Sequence, residues 1–132
     1  MRFLFPLLPA EFEIPDDWWA AAGMHGFTAS GAAFRSTAGA ELVPLHEIEP
    51  PFRFPEYPKD WRGFDRQRMI DVLTAIAGGV PLRPVPLLIL PPLHDTTSHP
   101  FRCRVSDGMH RFYASVAAGF LNLQAKTREC VQ

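Results

Sequence analysis

Cysteine is scarce. The 132 residues hold two, Cys103 and Cys130, and no Cys-x-x-Cys pair. A disulfide-rich scaffold and the usual zinc ribbons are thereby excluded. No apolar run approaches the roughly 18–20 residues that a membrane-crossing helix needs, so no membrane partner is expected. Charge of one sign is lacking too. Thirteen Lys and Arg face fourteen Asp and Glu, a net charge of −1 with no broad positive field to drive counterion release on nucleic acid. The opening residues 1–9 are apolar but broken by Pro6 and Pro9. They carry only Arg2 as a positive charge and lead to no small-residue cleavage site, so they do not read as a signal peptide. A cytoplasmic location is the resulting expectation.

Proline is abundant: 14 residues, about twice the ordinary ~5% share. They cluster at 44–58, 81–86 and 91–100. A coiled coil or helical bundle cannot absorb that pattern, because proline removes a helix donor and clashes with the preceding turn. Short strands and helices joined by proline-set loops are expected, in one domain by length.

Along the chain, residues 12–14 read as a short strand. Asp16-Asp17 followed by Trp18-Trp19-Ala20-Ala21-Ala22 and Gly23 reads as a short helix. Adjacent tryptophans cannot share one helix face, so one is expected in the core and the other against a loop or a partner. Residues 25–39 read as a loop. Residues 41–48 read as one strand, with Pro44 near a sheet edge. Residues 50–61 form a proline-aromatic connection. The clearest helix spans 64–77, where Met69, Val72, Leu73 and Ile76 make an apolar stripe, Asp65 suits the starting dipole and Gly78-Gly79 stops it. Residues 85–90 (VPLLIL) read as a buried strand, 91–100 as a turn, and 101–106 as an antiparallel partner with Phe101, Cys103 and Val105 inward. A second helix spans 109–118, closed by Gly119, and a final strand spans 120–125.

The informative segment is Asp107-Gly108-Met109-His110-Arg111, placed between a strand and a helix. Glycine permits a tight turn and close approach of an anion to the backbone. The first amides of the helix that follows lack internal partners, and the dipole favours negative charge there. Arg111 adds a permanent cation with a planar donor fork. His110 adds a group able to move a proton near neutral pH. Arg104 shares with Arg102 the face of the strand leading in, and the two either enlarge a basic pocket or form a solvated edge face. Asp107 either caps the helix or contacts magnesium or substrate. His94 and His99 bracket Asp95 in a turn and could be read as metal ligands, but no further ligand follows at helical or strand spacing, so a metal centre there is not expected. Arg53, Lys59, Arg62, Arg66 and Arg68 read as a solvated basic stretch diluted by acids.

The segment resembles the ParB/sulfiredoxin-like superfamily, in which a Gly-x-His/Arg-Arg box follows a strand and opens a helix. Here the box is Gly108-Met109-His110-Arg111, with Ala114 and Gly119 following, and Ile48-Glu49-Pro50, the 64–77 helix, Gly79 and Pro84-Val85-Pro86-Leu87 in the family's order. The resemblance covers residues 40–125 and leaves 1–39 as an N-terminal extension to a 40–132 domain. It implies an α+β fold, a small mixed sheet with packed helices. Two departures narrow it. Met109 stands where sulfiredoxins carry their catalytic cysteine, and a thioether cannot act as a thiolate. Partition proteins of the family carry Glu-Arg-Arg after the glycine and continue into further DNA-binding and dimerisation segments, so a complete partition protein is not expected.

The Asp-Gly-x-His-Arg form is nearest the free-serine-kinase and other nucleotide-handling branches. The resemblance therefore implies binding of ATP, another NTP or a phosphorylated small molecule by Asp107, Gly108, Met109, His110, Arg111 and Arg104. NTP hydrolysis or phosphoryl transfer is the reaction such a turn can support. It also implies magnesium held by Asp107, and catalytic roles for His110 and for an upstream carboxylate, Glu47 or Glu49. Two alternatives come from other classes. One is a non-catalytic module that binds a protein partner through Trp18, Trp19 and the aromatic stretch 52–61. The other is a DNA-binding or nuclease accessory protein, which the net charge disfavours.

Overall fold

The computed structural model describes residues 1–6, 10–51, 63–90 and 101–129. Strands β1 (Arg2–Leu4) and β2 (Glu11–Glu13) form an antiparallel hairpin, with Phe3 opposite Phe12. Helix α1 (Asp16–Ala21) follows. Five strands make a mixed sheet: β3 (Glu41–Pro44), β4 (Ile48–Glu49), β5 (Val85–Ile89), β6 (Cys103–Val105) and β7 (Asn122–Glu129). Their spatial order is β3-β7-β5-β6-β4. Helices α2 (Arg66–Gly78) and α3 (Met109–Ala118) pack on each other, and α3 also contacts β7. The expected α+β architecture is what the chain adopts.

Strand β5 is central, parallel to β7 and antiparallel to β6. That position accounts for the VPLLIL composition: Val85 and Leu87 are fully buried, and Leu123, Ala125 and Cys103 beside them are too. The α2 stripe places Met69, Leu73 and Ile76 in the core, joined by Ile70. The Asp65 carboxylate accepts the Arg68 N–H at 3.0 Å and so caps α2. Gly79 ends the helix in the left-handed conformation.

Two expectations need correction. The 41–48 strand is broken. Pro44 has no N–H to extend the ladder, and Leu45–Glu47 form a 3-10 turn after it. That turn carries the chain from β3 at one sheet edge to β4 at the other, where β4 runs parallel to β6. Both tryptophans are buried, because α1 has core on two sides: Trp19 lies 5.0 Å from the Phe3 ring, and Trp18 joins the common core. The opening residues also form a strand, β1, that the sequence reading did not identify.

The N-terminal segment shares its core with the rest of the chain. The Phe12 ring lies 4.9 Å from Tyr113 and 6.5 Å from Phe64. Phe5 also meets Tyr113, at 5.7 Å. The 50–61 connection, the 91–100 turn with His94, Asp95 and His99, and Cys130 fall wholly or largely outside the described residues. Among the described residues, no helix is long and apolar enough to cross a membrane.

Candidate functional site

The turn between β6 and α3 adopts the geometry its sequence requires. Gly108 is the N-cap of α3 with φ +116° and ψ 36°, a conformation that side-chain-bearing residues rarely enter. It also lies tight against its neighbours. A Cβ at this position would come within 2.8 Å of Arg111 Nη2 and 3.1 Å of Val85 Cγ1. No side chain caps α3, so Asp107 does not act as the helix cap. The glycine turn puts Asp107 one position outside the cap, where it is exposed.

Helices α2 and α3 bring their N-termini together here. The Asp65 backbone N–H donates to His110 Nε2 at 2.9 Å. The imidazole nitrogen that accepts this bond carries no proton, so any proton that His110 moves in this arrangement passes through Nδ1. The His110 ring also stands 5.8 Å from Phe64. Thus the histidine of the box joins the start of one helix to the start of the other.

Arg111 is half-buried and reaches back to the segment before β5. Its Nη1 donates to the carbonyl oxygens of Arg83 at 2.7 Å and Pro84 at 3.1 Å. Burial lowers its pKa from the ordinary arginine value; Asp107 opposes the shift and Arg83 adds to it. Arginine stays charged throughout the neutral range, so the shift reports a cation in a confined, partly dry place.

These elements enclose an open cleft of about 620 Å³. Gly108, Met109, His110 and Arg111 line one wall, Asp65, Arg68, Asp71 and Val72 of the α2 region another, and Pro81, Leu82 and Arg83 a third. Thr37 and Asp107 also line it. The volume falls within the range of roughly 300–1,000 Å³ typical of small-ligand sites. The cations Arg68, Arg83 and Arg111 are balanced by Asp65, Asp71 and Asp107. Asp71 accepts a hydrogen bond from Gln67 Nε2 at 2.7 Å.

The upstream glutamates take a different position. Glu47 Oε1 accepts from Arg102 Nε at 2.8 Å, and Glu49 Oε2 accepts from Arg104 Nε at 3.1 Å. Both pairs bridge the segment around β4 to β6, and none of the four residues lines the cleft. Sequence reasoning grouped Glu47, Glu49 and Arg104 with the box; the fold groups them with one another. It missed Arg68 and Arg83 as cleft residues. Arg68 was hidden in a stretch read as solvated, and Arg83 lies 25 positions before Gly108 with no pattern linking them. Among the described residues, no group of three or more His, Cys, Asp and Glu side chains is placed to hold a metal ion.

Compared with protein-family models and with curated proteins, the chain matches none.

Proposed function

We propose that the cleft binds the phosphate groups of a nucleotide or another phosphorylated small molecule, on a domain of ParB/sulfiredoxin-like type. One observation carries this reading: the uncapped first turn of a ten-residue helix opens onto a cleft that also presents Arg68 and Arg83. Backbone amides at a helix start favour an anion through their unpaired donors and the dipole, and a nearby arginine adds charge-assisted bonds. A cytoplasmic location fits this chemistry.

Hydrolysis of an NTP, or phosphoryl transfer from it, is the reaction class the arrangement suits, since that chemistry demands positioning and charge neutralisation above all. Magnesium that arrives on nucleotide phosphates uses only one or two protein carboxylates. Asp107, exposed beside the turn, is the residue that would hold it. When bound, the ion would neutralise phosphate charge. Glu47 or Glu49 would serve as base only after leaving its arginine, whereas Asp107 and Asp71 already line the cleft. The protein-binding alternative loses Trp18 and Trp19 as surface anchors, because both are buried.

Thermal unfolding with ATP, ADP, CTP or GTP, each with magnesium, tests the reading on wild type and Arg111→Ala. A ligand at ~100 times its dissociation constant stabilises the fold by about 2.7 kcal/mol, a rise of several degrees. The expected result is a shift in wild type that Arg111→Ala abolishes. No shift with any of the four nucleotides would overturn a nucleotide site.

A further inference from the structure

Arg83 is exposed at the cleft, and its backbone is fixed from two sides. Residues 35–37 run beside it: Leu82 N–H donates to Arg35 O at 2.8 Å, and Thr37 N–H donates to Leu82 O at 2.9 Å. Arg111 holds the other side through the Arg83 and Pro84 carbonyls. Pro84 further restricts the residue before it to extended backbone. Among the described residues, neither Arg83 nor Arg111 forms an ion pair with a carboxylate.

The two arginines are therefore differently placed for an incoming anion. Arg111 has Nη1 committed to two carbonyls, and its Nη2 and Nε pack over Gly108. Those two bonds tie the guanidinium to the backbone before β5, and the donors that remain are on its Nε/Nη2 edge, against Gly108. Arg83 has its backbone held, lines the cleft as an exposed residue, and has no side-chain hydrogen bond or ion pair among the described residues. The three carboxylates of the cleft balance its three arginines overall, but among the described residues none forms an ion pair with Arg83, so a phosphate can meet that cation without breaking one.

We propose that Arg83 is the cation that meets the ligand's phosphate, and that Arg111 is a positioning residue that holds Arg83 through the Arg83 and Pro84 carbonyls. This inference rests on the phosphate reading of the cleft.

The test is titration calorimetry at fixed ionic strength with ATP, ADP, CTP, GTP and inorganic pyrophosphate, using whichever binds wild type tightest. The variants are Arg83→Gln, Arg83→Lys, Arg111→Gln and the double glutamine variant. Loss of a charge-assisted contact weakens binding about tenfold to a hundredfold, and that is the loss expected for Arg83→Gln, with partial rescue by Arg83→Lys. Arg111→Gln should weaken binding as well. The double variant should bind no more weakly than Arg83→Gln, because Arg111 acts through Arg83; a merely structural role would lower it further. Binding by Arg83→Gln within twofold of wild type would overturn the inference and leave the phosphate site standing. Additive losses would overturn the positioning role of Arg111. No binding of any probe to wild type would overturn both readings together. Should Arg111→Gln fail to fold, the comparison of Arg83→Gln with Arg83→Lys still decides the role of Arg83.

Discussion

Gly108 concentrates the chemistry of the turn in one residue. Its φ of +116° and the 2.8 Å approach of Arg111 Nη2 leave no room for a side chain. Gly108→Ala should cost about 1–3 kcal/mol in urea unfolding and should displace Arg111. Gly119→Ala is the control: it has φ +91°, but a Cβ there meets nothing within 4 Å, and its cost should be smaller. Cys103 makes a second prediction. Burial raises its thiol pKa, against a smaller opposing effect of Arg102. The folded chain thus keeps the proton at pH values where the unfolded chain has begun to lose it. The stability this contributes is complete below the ordinary thiol value of about 8.5 and is lost as pH rises through the folded value. In a Cys130→Ser background, Cys103 should resist a thiol reagent at pH 8 until denaturant unfolds the protein; rapid labelling of the folded form would contradict this.

At the scale of elements, the site depends on how two helices begin. Helix α2 carries a side-chain cap and α3 does not, and the contrast separates stability from binding. Asp65→Ala should lower stability by about 1 kcal/mol, as loss of an N-cap does, while Asp65→Asn keeps an acceptor and most of that stability. Both are measurable by thermal denaturation. These starts were legible in sequence: Asp65 before an apolar stripe, and glycine before Met109, each mark a helix boundary. The end of β3 was half legible. Pro44 announced an edge, but not that the next three residues would turn and deliver Ile48–Glu49 to the opposite edge. The Glu47–Arg102 and Glu49–Arg104 pairs join segments 55 residues apart, and no local pattern encodes such a pairing. Both are exposed enough that each contributes at most about 1 kcal/mol.

At the scale of the molecule, one core runs from the N-terminal hairpin to α3. Phe12 is almost fully buried among Phe3, Phe5, Phe64 and Tyr113. Phe12→Ala should cost about 3–5 kcal/mol and lower the midpoint of a single cooperative transition. Two separate transitions, with only the first one shifted, would show instead that residues 1–39 unfold apart from the rest. The Tyr113 hydroxyl adds a link by donating to Pro51 O at 2.7 Å, which ties α3 to the segment just after β4.

Local units can be read from residue order alone: the two longer helices and their glycine stops, the buried central strand, the β5–β6 pairing and the glycine turn at Gly108. Each follows from side-chain periodicity or from backbone freedom at a single residue, and both are short-range properties. Which charges share a cleft follows from the packing of distant segments. Arg68 and Arg83 stand with the Gly108–Arg111 turn, while Glu47, Glu49, Arg102 and Arg104 pair away from it. The reason is physical: polar side chains on solvated faces carry no periodic signal, and their partners are set by strand order and helix packing, which join residues distant in the chain.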